Sequence, residues 1–343
     1  ELVEVFGDMG LLQLWVPQEY GGPGADLTSV CIVKEEIAKV SESAALLAAN
    51  NSFGLILPIL NFGTEAQKRH YLGLAAKGRT ITAVAITESG TGSDVSSMKT
   101  RAVKDGESWV LNGGKIYITF GPVAHFILVF ARTSEGKGAN GISAFIVDTK
   151  TAGFSYGKLD RKMGIRGVPN APIFFDNVRV PAENMVGPEG QAFKSCMRIL
   201  DLNRPTIGAI SVGLAQGAID AAVGYGRERK QFGQPIAEFQ GIQFMLADMQ
   251  MQTEAARCLL YDCARMADRE EWDSFSAKAS MVKCFCSDTA MKVTTDAVQI
   301  FGGAGYMRDF PVERFMRDAK INQIFEGTNQ IQRLVIARDM LRR

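Results

Sequence analysis

The spacing of apolar residues changes twice along this chain, and that change limits what it can fold into. Over residues 1–79, stretches such as "DLTSVCIVKEEIAKVS" and "NSFGLILPILNFGTEAQKRHYL" place apolar side chains three and four apart, the period of a helix. From about Thr80 to Gly187 the chain turns to short β-branched and aromatic runs, "ESWVLNGGKIYITFG", "HFILVFART", "GISAFIVDT" and "APIFFDNVRVP", bounded by Gly, Asn, Asp and Pro. After Gly190 the helical period returns in long stripes: Ile207, Ile210, Leu214, Ala218 and Ala221; Ile242, Met245, Met249, Ala256 and Leu260; Ala279, Val282, Cys286, Val293 and Ile300. A fourth helical segment begins at Pro311. The expected fold is therefore α+β and multidomain: a helical segment over 1–79, a β segment over 80–187 and a helical bundle over 188–343.

A chain of 343 residues with 46% hydrophobic content can bury that many cores. Its 38 Lys and Arg against 37 Asp and Glu leave a formal charge of +1, so no basic or acidic block supports binding to nucleic acid or a charged membrane surface. The six cysteines (Cys31, Cys196, Cys258, Cys263, Cys284, Cys286) sit in apolar stretches without paired spacing and read as reduced core residues of an intracellular protein. No apolar run is expected to reach the length of a membrane span. The opening "ELVEVFGDMGLL" reads as the middle of a helix, which leaves a targeting segment open.

Several chemistries drop out. His70 and His125 lie in different segments with no metal-ligand spacing around them, so a zinc site or a histidine triad is not expected. "SGTGSDV" puts Val95, and "FGGAGYMRD" puts Arg308, where a dinucleotide fingerprint needs its third glycine. What remains are weak signals. "TESGTGSDV" is a turn or a polar docking loop, "GGKIYITFG" alternates Tyr117 and Thr119 on one strand face, and "RERKQFGQP" reads as a charged helix end or a contact. In "MRDAKINQIFEGTNQIQR" the carboxylate of Glu326 stands between an aromatic ring and a glycine before a helix restarts at Thr328.

In order along the chain, "VPQEYGG", "ITESGTGSDV", "WVLNGGKIYIT", "KMGIRG", "DLNRP", "ERKQFGQPI" and "QIFGGAGYMRDFPVERFMRDAKINQIFEGTNQIQR" resemble the acyl-CoA dehydrogenase flavoproteins, most closely the short-chain, butyryl-CoA members. The resemblance covers essentially the whole chain and implies a helical, a β-barrel-like and a four-helix-bundle domain. It implies FAD as cofactor and α,β-dehydrogenation of an acyl-CoA to a trans-2-enoyl-CoA, with α-proton abstraction by Glu326 and hydride transfer to flavin N5. Electrons would pass to an electron-transferring flavoprotein. The assembly would be a homotetramer, in the cytoplasm of a bacterium or the mitochondrial matrix of a eukaryote.

Residue by residue, the resemblance places Ile86, Thr87, Gly92, Ser93, Tyr117, Thr119, Thr328 and Gln330 at flavin contacts, with Tyr117 standing where many members have Trp. Arg229, Gln231, Phe232, Gln299 and Gly303 match positions that reach the cofactor of a neighbouring subunit, and Ser93, Asp201, Arg204, Phe325 and Gly327 match substrate positions. Some relatives carry the base on the helix that is expected here to begin at "DLNRP", where Asn203 cannot serve. The stretch 41–67 contains no Lys or Arg, so a short uncharged acyl chain is expected, and one extra residue before Pro58 would reshape the pocket floor. Alternatives are an oxidase of the same fold, a dehydrogenase for branched or aromatic acyl groups, and a DNA-associated relative, against which the near-neutral charge weighs.

Overall fold

The computed structural model describes residues 1–135 and 138–342. Residues 136–137, inside the expected β segment, and residue 343, at the end of the expected bundle segment, lie outside the described residues. The chain runs through α1 (Leu2–Asp8), α2 (Leu27–Ala38), α3 (Glu42–Leu47), α4 (Leu57–Phe62), α5 (Glu65–Gln67) and α6 (Gly73–Ala76). Eight strands follow: β1 (Thr82–Ala85), β2 (Arg101–Asp105), β3 (Ser108–Thr119), β4 (Phe126–Arg132), β5 (Ile142–Asp148), β6 (Phe154–Tyr156), β7 (Asn170–Pro181) and β8 (Met185–Val186). Then come α7 (Ala192–Glu228), the hairpin β9 (Lys230–Gln231) and β10 (Gln234–Pro235), α8 (Gln240–Asp268), α9 (Phe275–Phe301), α10 (Val312–Ala319) and α11 (Asn329–Met340).

These elements form two compact units, one of residues 1–25, 47–161 and 167–200, the other of residues 26–46, 162–166 and 201–343. In the first, the sheet order is β6-β7-β3-β2-β4-β5-β8, with β1 parallel on β4. Side chains of β4 and β5 alternate between two cores: Ile127, Val129, Phe145 and Val147 pack with Trp109 and Phe175, while Leu128, Phe130, Ala144 and Ile146 pack with Leu55, Ile59 and Leu72. Burial on both faces explains why "HFILVFART" and "GISAFIVDT" are almost continuously apolar. A bulge in β3 between Lys115 and Ile118 interrupts the alternation expected there, and Tyr117 takes φ 60 with 68% of its surface exposed.

A π-helical turn over Ser52–Ile56 precedes α4. Such a turn holds one residue more than an α-turn does, and it lies just before Pro58, where the resemblance led an extra residue to be expected.

In the second unit α2 is capped by Asp26, whose carboxylate accepts the Ser29 N–H at 2.7 Å. It packs closely on α7. A Cβ on Gly213 would stand 2.3 Å from the Glu35 carbonyl oxygen, and one on Gly217 would stand 2.1 Å from that of Lys39. Only glycine allows the two backbones this approach.

Three expectations are corrected. The helix bearing "DLNRP" does not begin there: α7 starts at Ala192 and runs through Pro205, which withholds one N–H from the helix without ending it. Cys258 is exposed, unlike the five other cysteines. Two helical stretches do have the length and mean hydropathy of a membrane span, Glu42–Phe62 (21 residues, 1.5) and Ala192–Glu228 (37 residues, 1.4). Each is 72% buried within the protein, as expected of core helices that are apolar around most of their circumference.

Candidate active site

In the first unit the loop after β1 is built around a buried ion pair that the sequence reading missed. Lys115 on β3 is fully buried and donates to the Glu88 carboxylate and the Ile86 carbonyl, both at 2.9 Å. Glu88 also accepts the Lys99 N–H at 2.6 Å and the Thr100 N–H at 2.9 Å. Burial pushes the Glu88 carboxyl up, but Lys115 and these donors outweigh it and hold the group below its usual range. The pair anchors the turn Glu88–Thr91, whose ends exchange backbone hydrogen bonds. Ile86 and Thr87 are thereby held half-buried, and Gly92 and Ser93 lie exposed. Thr91 Oγ1 is buried without a partner. Thr119, at the end of β3, is half-buried.

In the second unit, α10 ends in a 3₁₀ turn (Lys320–Gln323), and the chain then bends through Phe325, Glu326 and Gly327 before Thr328 caps α11 by accepting the Ile331 N–H at 3.3 Å. Both residues of the bend are left-handed, Glu326 at φ 57 and Gly327 at φ 89. For glutamate that conformation is strained, by about 1–2 kcal/mol, and persists only where its surroundings hold it. Here Lys283 of α9 donates to the Gly327 carbonyl at 2.7 Å and the Asn329 side chain at 2.9 Å, and Gln332 Nε2 donates to the Gly327 carbonyl at 2.8 Å and that of Glu326 at 3.2 Å.

The Glu326 side chain is thus aimed rather than free. Part of the residue keeps contact with solvent, but its Oε2 is buried without a partner among the described residues, while Oε1 accepts from Asn203 Nδ2 at 3.2 Å. Burial raises its pKa above the usual carboxylate range, against the opposing charges of Arg204, Lys283 and Lys34 and the Asn203 hydrogen bond. Asn203, considered at first only as a failed base, is therefore a partner of the carboxylate.

The second unit brings Asp201 and Arg204 to the same neighbourhood. Arg204 is buried, ion-paired with Asp201 and bonded to Ser280 Oγ at 3.3 Å, and its Nε lacks a partner. Arg229, Gln231, Phe232, Gln299, Gly303 and Gln330 all lie exposed. Phe232 occupies the two-residue turn of the β9–β10 hairpin, at φ 51 beside Gly233 at φ 84, with 94% of its surface exposed. Positive φ at both positions is the geometry that Asn-Gly normally fills.

In the first unit, the anchored loop, whose Thr91 hydroxyl has no partner among the described residues, and the exposed ring of Tyr117 suit a polar aromatic ring. In the second unit, the exposed Arg229 guanidinium and Phe232 ring suit a phosphate-bearing group.

Three family models match successive parts of the chain. The acyl-CoA dehydrogenase N-terminal domain matches residues 1–79, the middle domain residues 83–178 and the C-terminal domain residues 190–341. A probable acyl-CoA dehydrogenase of Mycobacterium bovis is 51% identical over 343 residues, 100% of this chain and 87% of the relative. The cyclohex-1-ene-1-carbonyl-CoA dehydrogenase of Syntrophus aciditrophicus is 48% identical over 98% of this chain and 81% of its own length.

Among solved structures, a chain from the electron transferring flavoprotein work on Acidaminococcus fermentans superposes with a TM-score of 0.96 at 46% identity, covering 99% of this chain and 89% of that one. The butyryl-CoA dehydrogenase of Megasphaera elsdenii gives 0.94 at 43% identity with the same coverage. An acyl-CoA dehydrogenase of Bacillus anthracis complexed with FAD gives 0.93 at 34% identity, covering 99% of this chain and 62% of that one.

Proposed function

The chain belongs to the acyl-CoA dehydrogenase family, and we propose that within this family of FAD-dependent oxidoreductases it desaturates a short-chain acyl-CoA with Glu326 as the base. The carrying observation is the Glu326 carboxyl, held in a strained bend with one buried oxygen unpartnered and its pKa raised by burial. The α-hydrogen of a thioester is a very weak acid, so the group that takes it must be positioned against it and must itself bind protons well. Oε2 meets both needs. Asn203 orients the carboxylate through Oε1 and leaves Oε2 to accept the proton. The Glu326 N–H would stabilise the developing negative charge on the thioester oxygen, and Phe325 would exclude water.

FAD, when bound, supplies the acceptor for the β-hydrogen that leaves as hydride. Ile86, Thr87, Gly92, Ser93, Tyr117, Thr119, Thr328 and Gln330 would hold its flavin. Arg229, Gln231, Phe232, Gln299 and Gly303 would hold the cofactor of a neighbouring copy in a homotetramer, a reading supported by the strain and exposure of Phe232. Asp201, Arg204, Ser93 and Gly327 would serve the acyl-CoA. Likeness to the chain from the Acidaminococcus fermentans electron transferring flavoprotein structure supports an electron-transferring flavoprotein as redox partner.

A four-carbon chain is supported by the butyryl-CoA dehydrogenase likeness and by the absence of Lys and Arg from residues 41–67. A cyclic acyl group is the second reading, favoured by the 48% identity to the cyclohex-1-ene-1-carbonyl-CoA enzyme. Measuring kcat/KM for butyryl-, isobutyryl-, hexanoyl-, octanoyl-, glutaryl- and cyclohex-1-ene-1-carbonyl-CoA decides between them. The optimum should fall at four to six carbons, with each methylene that finds room contributing about 0.8 kcal/mol. Efficient glutaryl-CoA turnover or an octanoyl optimum refutes the reading. Peroxide formed without an added acceptor would mark an oxidase instead.

A further inference from the structure

The bend that carries Glu326 is tied down on both sides, and both ties lead to one carboxylate on α9. Asp288 accepts Gln323 Nε2 at 2.6 Å and Asn329 Nδ2 at 2.8 Å through Oδ1, and Arg333 Nη2 at 2.7 Å through Oδ2. Gln323 closes the 3₁₀ turn before the bend, while Asn329 and Arg333 stand at the start of α11 after it. A link that merely pinned α11 to α9 would need the last two alone. The bond to Gln323 makes it a clamp.

The same carboxylate reaches the inside of the bend through an amide. Asn329 is buried, and its side chain lies between the Lys283 ammonium, which can only donate, and the Asp288 carboxylate, which accepts. One orientation serves both: Oδ1 accepts from Lys283 Nζ at 2.9 Å, and Nδ2 donates to Asp288 and, at 2.9 Å, to Ser287 Oγ. Turned over, the amide would set donor against donor and acceptor against acceptor. Lys283, itself fully buried, is thus held where it donates to the Gly327 carbonyl at 2.7 Å.

Asp288 is suited to this work because it keeps its charge. Burial raises its carboxyl, but the bonds from Arg333, Gln323 and Asn329 outweigh that and hold it below its usual range. Hydrogen bonds to an ionised acceptor are the strong ones.

We propose that Asp288 is a positioning residue for Glu326: it clamps both ends of the bend and, through Asn329, sets Lys283 on the Gly327 carbonyl. Two consecutive left-handed residues persist only where their surroundings fix them, so the clamp keeps the base aimed. The inference rests on the reading of Glu326 as the base.

Two measurements on the FAD-loaded enzyme keep clamp and base apart: amide hydrogen exchange of residues 320–332 without substrate, and kcat and KM for butyryl-CoA. In Asp288→Ala the segment should exchange about 10-fold faster while α8 keeps its rate, the mark of one local opening made easier. The kcat should fall about 10- to 10²-fold, the scale of a reacting group displaced by about 1 Å, with KM and bound FAD within about two-fold. Asp288→Asn keeps an oxygen for Gln323 and Asn329 and gives up only the pair with the exposed Arg333, so both readouts should return to within about three-fold of the parent. Unchanged exchange over 320–332, faster exchange spread evenly through the protein, or Asp288→Asn behaving as Asp288→Ala overturns the proposal. Faster exchange of the segment with kcat unchanged overturns Glu326 as the base and leaves the clamp standing. Should Asp288→Ala fail to fold, Asp288→Leu, which fills the space without an acceptor, carries the same test.

Discussion

Glu326 combines a strained backbone with a buried oxygen that has no partner among the described residues, and burial raises its pKa. The pH dependence of turnover follows from this. A carboxyl raised by burial stays protonated to higher pH, and a protonated base cannot accept the α-hydrogen. The rate kcat/KM should therefore fall as pH drops through an acid limb lying above the ordinary glutamate value of about 4.3. A profile still flat at that pH would contradict the burial argument. At this scale the sequence was partly legible. The isolated acid of "FEGT" marked itself by standing between an aromatic ring and a glycine, and Thr328 marked the cap. Lys34, Lys115 and Lys283 did not, because a lysine in a helix or strand pattern reads as a solvated charge until packing shows that it is buried.

At the scale of elements, the strands of the β segment were readable from β-branched runs and their boundaries. The bulge at Tyr117, the helix through Pro205 and the hairpin after Glu228 were not. Each depends on tertiary packing that overrides the local signal: Pro205 would normally stop a helix, and Phe-Gly is an unusual filling for a turn with two positive φ values. The hairpin carries its own prediction. It begins immediately after Arg229 and presents Phe232 with 94% of its surface exposed, in a strained backbone, its ring meeting Phe239 edge-on at 6.1 Å. On the proposed role of Arg229, Arg229→Ala removes a charge-assisted contact to the cofactor phosphate. The purified variant should lose FAD and subunit association together, read as the flavin-to-protein absorbance ratio and by light scattering. A monomer with full FAD would show that this hairpin does not serve the cofactor of a neighbouring copy.

For the molecule as a whole, the α–β–α order was legible because hydrophobic period survives in sequence, while the division into two compact units was not. Residues 26–46 and 162–166 belong with the C-terminal helices, a placement that no local period encodes. It puts Lys34 in the same unit as Glu326.

One carboxylate, Glu326, is proposed to start the reaction on a bound short-chain acyl-CoA. Anaerobic mixing of the FAD-loaded enzyme with butyryl-CoA should bleach the flavin absorbance, and Glu326→Gln, which keeps size and hydrogen bonding but cannot take the proton, should bind the thioester and bleach slower by at least about 10²–10⁴-fold. Bleaching by Glu326→Gln within a few-fold of the parent rate would contradict it.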